Sequence, residues 1–262
     1  MRIATLVFRR HGKRMVMSAR DRADTILDIA TRFEPDLLLC GGFALDHTAD
    51  VWALARRYQR RVLTGTIIID VRWDDRVAQL LKDKQNRQVS RLRNAVYRID
   101  DQDVVYLGRQ IVQRSDDFAG AKPCIAKRLQ AMAHELRHRR FIVQGRSVNM
   151  LCCGELNILR GRNHVACRDD TIATILTNTD IVLNFTHDRM GHHGTVNAKR
   201  RWLSNDGRIY VSASNWNTKT ASGQSQSQFA SLLSTFWHDG HQQSWPLLER
   251  SVGYYEFRAR DT

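Results

Sequence analysis

The chain has no apolar run approaching the roughly 18 residues that span a bilayer, and it opens without the charged-then-apolar pattern of a secretory leader. These absences imply a cytosolic, soluble protein with no membrane partner. Its five cysteines, at 40, 124, 152, 153 and 167, are odd in number and lack CxxC spacing. That pattern suits neither a disulfide framework nor a structural zinc site, so free thiols are expected. No glycine-rich phosphate loop of the GxGxxG or GKS/T type occurs. Acidic residues are scarce, 27 Asp and Glu against 41 Lys and Arg, and the net charge is +14. Such an excess favours polyanionic or acidic partners. The basic residues are nevertheless scattered in clusters over 9–14, 56–61, 137–140 and 199–201, without a regular aromatic interleave. The clusters read as solvated surface, and any nucleic-acid binding is expected to be weak, non-specific and abolished by salt.

What is present is ordinary globular material: 262 residues, 42% of them hydrophobic, which suits a single domain over 1–262 with one sizeable core. Residues 1–8 start a strand. Ala23, Ile26, Leu27, Ile29, Ala30 and Phe33 then recur at helical spacing until Glu34-Pro35 stops the run. DLLLC (36–40) is the next strand, Trp52 to Tyr58 a helix, and the β-branched run 62–71 another strand. Residues 74–93 are charged and fit a loop or an exposed helix. AVYRI and VVYLGRQIV, separated by DDQD, read as a hairpin. An amphipathic helix over 126–140 leads into the FIVQGRSVNMLCC strands. A helix near 169–177, the strand DIVLNF, a His-rich loop, a helix over 196–205 and the strand RIYVSASN follow. The polar stretch 217–228 reads as a flexible loop, and GYYEFRA as one last strand.

Within VNMLCCGELNIL (148–159), the apolar run ends in two cysteines, and Gly154 can turn the chain sharply. Cys153 therefore sits where strand becomes loop, a place where nucleophiles are often displayed. Taken as a set, DLLLCGGFAL, ALARRYQRRVLTG, VVYLGRQIV, VNMLCCGEL, TDIVLNFTHDRMG and RRWLSNDGRIYVSASN resemble, in order and spacing, the nitrilase superfamily of carbon-nitrogen hydrolases over about residues 1–215. The most specific match is Cys153-Gly154-Glu155, an apolar run followed by Cys, any residue and an acid. Arg201 and Asn205, then Asn215, also look like the family.

The resemblance implies an α/β fold, a four-layer α-β-β-α sandwich, commonly dimerised through helices beside the active site and using no metal and no organic cofactor. It also implies amidase-type chemistry. A thiolate attacks an amide or nitrile carbon, a glutamate takes the thiol proton, and a lysine stabilises the oxyanion. Cys153 fits the first role, and Glu155 becomes a structural acid near it. Gly42 stands where the family pattern D-apolar-apolar-apolar-x-P-E has its glutamate. Arg109 and Gln110 stand where the lysine belongs, and which of them takes that position is open. Candidate substitutes are Asp117, beside Asp116, and the pair His187 and Asp188. His192 and His193 lie near that pair without a further ligand at known spacing, and they read as a polar surface loop. Two functions follow: an amidase-like hydrolase with a rearranged or degenerate site acting on a small amide-like molecule, or a non-catalytic protein of the same fold. The second would bind a small ligand, a protein partner or nucleic acid through its pocket or basic surface.

Overall fold

The computed structural model describes residues 1–11, 14–186, 193–217, 234–251 and 254–262. The expected alternation of strand and helix builds the first half. Strands Arg2–His11, Leu37–Cys40 and Thr66–Trp73 run parallel side by side. Antiparallel neighbours continue this sheet: Tyr255–Asp261 and Leu247–Ser251 on one side, Ala95–Ile99 and Val104–Arg109 on the other. A second sheet has strands Arg146–Leu151, Ile181–Thr186 and Ile209–Ser214 parallel at its centre. The strand Phe141–Val143 flanks them on one side, with Ser234–His238 and His241–Gln242 on the other. Among the described residues, seven helices cover the sheets: α1 (Ala19–Phe33), α2 (Thr48–Gln59), α3 (Asp75–Leu80), α4 (Lys84–Val89), α5 (Lys122–His138), α6 (Asp170–Thr177) and α7 (His193–Ser204).

Local chemistry sets the helix ends. Ser18 caps α1 by accepting the Asp21 N–H at 3.1 Å. At the other end Glu34 takes the left-handed conformation, φ 44°, before Pro35, which cannot extend the helix.

Alternation along each strand then sorts the apolar residues into three cores. Leu38 and Cys40 face Ile26, Leu27, Val51 and Leu54 of α1 and α2. Leu37 and Leu39 face the other way, against Val148, Met150, Ile181 and Ile209 of the second sheet. Leu151, Val182 and Tyr210, on the far side of that sheet, pack on Met132, Leu136, Ile172 and Leu203 of α5, α6 and α7. Each sheet thus has the other sheet on one face and helices on the opposite face. Parallel strands covered on both faces can be apolar throughout, which explains the unbroken LLLC run.

The structure revises several expectations. Residues 62–65 are a turn, and that strand begins at Thr66. The charged 74–93 stretch forms two short helices, α3 and α4, capped by Asp74 and Asp83. The expected last strand, Tyr255–Asp261, is joined among the described residues from Ser234 onwards by three more. The basic clusters are not purely surface: Arg139 is 0%, Arg200 3%, Arg10 6% and Lys199 7% exposed. The polar 217–228 stretch, apart from Asn217, lies outside the described residues.

Candidate functional site

The carboxyl ends of the parallel strands of both sheets carry most of the residues the sequence singled out, the position at which open α/β sheets place ligands. Asn215, after Ile209–Ser214, ties the two sheets together there. Its Oδ1 accepts the Phe8 N–H at 2.9 Å, and its Nδ2 donates to the Gly42 carbonyl. A Cβ on Gly41 would lie 2.2 Å from Asn215 Oδ1. Only glycine allows this approach.

Gly42 itself brings no side chain, but the next residue leads to a carboxylate that the sequence reading passed over. The Phe43 N–H donates to Asp70 Oδ2 at 3.4 Å. Asp70 is 0% exposed, and its Oδ1 accepts Asn94 Nδ2 at 3.1 Å. The same Asn94 amide reaches Gln110 Oε1 at 3.4 Å, and Gln110 Nε2 donates to the Val112 carbonyl at 2.7 Å. Gln110 therefore belongs to a hydrogen-bonded chain that runs to Phe43. Arg109 points elsewhere: its Nη2 donates to Asn86 Oδ1 of α4 at 3.0 Å, and its backbone N–H donates to Glu135 Oε2 of α5 at 3.1 Å. Of the two residues left open by the sequence, Gln110 is the one on the Gly42 side. The signal for Asp70 was a lone acid within TIIIDVRW, an apolar run that otherwise wants none.

Cys153 opens a 3₁₀ turn, Cys153–Ile158. Cys152 is fully buried between the sheets, whereas Cys153 is partly exposed. Burial pushes the Cys152 thiol well above its usual range, with the Arg139 charge working in the opposite direction. Cys153 lies within electrostatic reach of the Tyr210 hydroxyl. That hydroxyl is shifted upwards by burial; Arg200 opposes the shift and Cys153 adds to it. Tyr210 Oη donates to Asn184 Oδ1 at 3.0 Å, and Asn184 Nδ2 donates to the Leu151 carbonyl at 2.9 Å. Gly154 is not needed for a left-handed turn. A Cβ there would stand 2.2 Å from the Gln113 carbonyl oxygen and 2.5 Å from that of Val112. Close approach of the chain beyond the Val104–Arg109 strand explains this glycine.

Glu155 is a structural hub. Its Oε1 accepts the Ile111 N–H at 2.7 Å and Arg139 Nη2 at 3.1 Å, while Oε2 accepts the Cys152 N–H at 2.8 Å and Arg139 Nη1 at 2.5 Å. Arg139 also donates to the carbonyls of Arg109 and Met150. This buried pair fixes the end of the hairpin strand against the cysteine turn. Asp117 accepts the N–H groups of Gln113 and Arg114 at 2.6 and 3.1 Å and lies 3.9 Å from Arg128. It caps a short turn, Ser115–Phe118. His187 and Asp188 lie outside the described residues.

On the other side of the turn, Asn157 Nδ2 donates to the Gly154 carbonyl at 3.0 Å. Asn157 Oδ1 receives Lys199 Nζ at 3.4 Å, and the Asn157 carbonyl receives Arg168 Nε at 3.1 Å. Burial, reinforced by Arg168, lowers the Lys199 ammonium to about 8. Lys199 was missed because KRR in a helix reads as a solvated face.

HELRH over 134–138 has the spacing of zinc-peptidase helices. His134 Nε2 is 3.1 Å from His138 Nε2, but Glu135 is turned to Arg109. Among the described residues no group of three or more His, Cys, Asp or Glu side chains converges as a metal site. No described helix is long and apolar enough to cross a membrane.

No family model matches the sequence, and no curated protein does. Solved structures do. The chain is similar to XC1258 from Xanthomonas campestris, a CN-hydrolase superfamily protein with an arsenic adduct in its active site, at 11% identity and TM-score 0.56, covering 100% of this chain and 90% of that one. It is similar to a glutamine-dependent NAD(+) synthetase from Cytophaga hutchinsonii at 10% identity and TM-score 0.55, covering 99% of this chain but 42% of that one. The C. elegans NitFhit protein matches at 9% identity and TM-score 0.54, with 99% and 60% covered. The chain thus spans less than two thirds of the length of two of these three proteins. It has the nitrilase-superfamily, carbon-nitrogen hydrolase fold.

Proposed function

We propose that the chain is a carbon-nitrogen hydrolase-type pocket protein with a degenerate site, in which Cys153 offers a thiol to an amide-like or nitrile-like carbon but standard turnover is weak or absent. One observation carries this reading: every carboxylate described around the cysteine turn is spent on structural hydrogen bonds. Glu155 holds Arg139 and two backbone N–H groups, Asp117 caps its own turn, and Asp70 is fully buried against Asn94. An ordinary thiol is only a few per cent thiolate at neutral pH. General-base catalysis contributes about 10² to 10⁴-fold, and an oxyanion donor a comparable factor. With Gly42 and Gln110 in place of glutamate and lysine, both contributions are missing. The reading carries with it a cytoplasmic homodimer with no organic cofactor.

The test is hydrolysis of simple amides and nitriles. Wild-type protein should stay near background, and Gly42→Glu with Gln110→Lys should raise hydrolysis or acyl-enzyme formation. Brisk wild-type turnover that disappears in Cys153→Ala would overturn the degenerate site. A second reading, an active hydrolase with Asp70 as base, is favoured by the hydrogen bond from the Phe43 N–H to that buried carboxylate. It requires turnover that both Asp70→Asn and Cys153→Ala abolish.

A further inference from the structure

The segment 72–93 gathers on one surface what the sequence had scattered. Trp73, at the end of strand Thr66–Trp73, is 43% exposed. Two guanidinium groups lie against its ring, Arg72 and Arg93, each with Cζ 5.7 Å from the centroid. Arg93 also lines a groove of about 750 Å³ together with Lys82, Arg87 and Arg91. No acid lines this groove. A second groove of about 440 Å³ shares Arg87 and Arg91 and is lined further by Arg114 and Arg128 together with Asp116 and Asp117. Among the described residues Lys82, Arg91 and Arg93 have no carboxylate partner. In α3 and α4, Val77 and Val89 are buried with Leu81, while Leu80 is exposed.

We infer that this surface binds single-stranded nucleic acid, with Trp73 as a stacking platform and the Lys82–Arg87–Arg91–Arg93 groove as the track for the phosphates. Backbone tracking by a cationic groove combined with base stacking on an aromatic ring is how single strands are held without sequence readout. Guanidinium groups beside the ring suit a base stacked on it, because arginine adds cation-π contacts to the base and charge for its phosphate. A membrane surface fits less well, since with Val77, Leu81 and Val89 buried, Leu80 is the one large apolar side chain that the short helices α3 and α4 expose, too small a face to insert. An acidic polypeptide would use the cations but not the ring. The inference is independent of the cysteine site, and it gives the +14 charge a location.

The experiment is anisotropy of a labelled oligothymidylate against the full chain over a series of salt concentrations, with the matching RNA, a duplex and polyglutamate as comparison ligands. For single strands, log affinity falls with log salt by about 0.7 per phosphate neutralised. Lys82→Gln, Arg91→Gln and Arg93→Gln together should flatten the slope by about 2. Trp73→Ala should weaken binding about five- to hundredfold at an unchanged slope. These positions are at the surface, and circular dichroism establishes that the variants are folded. Changing Arg56, Arg57, Arg60 and Arg61 to Gln should leave both quantities as they were. No binding at low salt, no effect of Trp73→Ala, a duplex or polyglutamate bound as tightly as the single strand, or a slope set by the 56–61 cluster would each overturn the inference. The DNA and RNA arms identify which single strand is preferred, and binding of either at the groove supports it.

Discussion

On one side of the Cys153–Ile158 turn, Glu155 and Arg139 are both fully buried and meet at 2.5 Å; on the other, Lys199 and Arg168 converge on Asn157, with no acid among the described residues paired to either. The first site solves the cost of burying charge by pairing it and filling the remaining lone pairs with backbone N–H groups. The second leaves a cation buried beside another cation, and the ammonium responds by losing proton affinity. One arrangement is architecture, because removing either partner strands the other. The other costs stability at neutral pH and is therefore open to change, by pH or by an anion.

The comparison is broken most directly at Glu155. Glu155→Gln should destabilise the fold by about 3–5 kcal/mol, since it leaves Arg139 buried without its counter-charge. Denaturant unfolding measures it, and a loss below about 1 kcal/mol would mean that the pair is not what fixes the turn. Next in size is Gly154→Ala. The added Cβ meets backbone oxygens of Val112 and Gln113 that cannot swing away, and overpacking of this kind costs about 1–3 kcal/mol. A neutral result would show that the hairpin extension can shift.

A smaller effect of opposite sign is expected at Lys199. Its folded-state value, about 8, lies below its ordinary 10.5, so between these pH values the unfolded chain binds more protons and stability rises with pH. Lys199→Met should be more stable than wild type at pH 7, and the gap should narrow as pH climbs from about 8 to 10.5. Thermal melts across that range decide it, and a gap that widens would place the lysine in a favourable interaction. Smallest in energy, but sharpest for the site, is thiol accessibility. Brief iodoacetamide treatment with mass mapping should label exposed Cys124 and then Cys153, leaving Cys152 intact. Labelling of Cys152 ahead of Cys153 would reverse the assignment of the two thiols.

Much of this was legible in residue order. Period-2 and period-3.6 patterns marked the strands and α1, α2, α5 and α6 because burial on one face leaves a trace in sequence. Cys153-Gly154-Glu155 was legible as a strand end with an acid at a fixed offset. Asp70 was hidden by its apolar neighbours, and Arg139, Lys199 and Arg200 were hidden by the charged neighbours on their own helices. A basic run looks the same whether one of its members turns inward or not. The choice between Arg109 and Gln110 was hidden as well, since adjacent strand residues face opposite sides and only the register says which is which.

The sequence by itself determined the alternating α/β architecture, the free thiols and the excess of positive charge. These depend on local periodicity and residue identity alone. Tertiary structure decided what each charge does. The end of α5 meeting the Cys153–Ile158 turn pairs Glu155 with Arg139, Asn215 bonds the Gly42 carbonyl 173 residues away, and Trp73 meets Arg93 across α3 and α4. Such contacts rest on long-range burial and geometry, and neighbours along the chain carry no record of them.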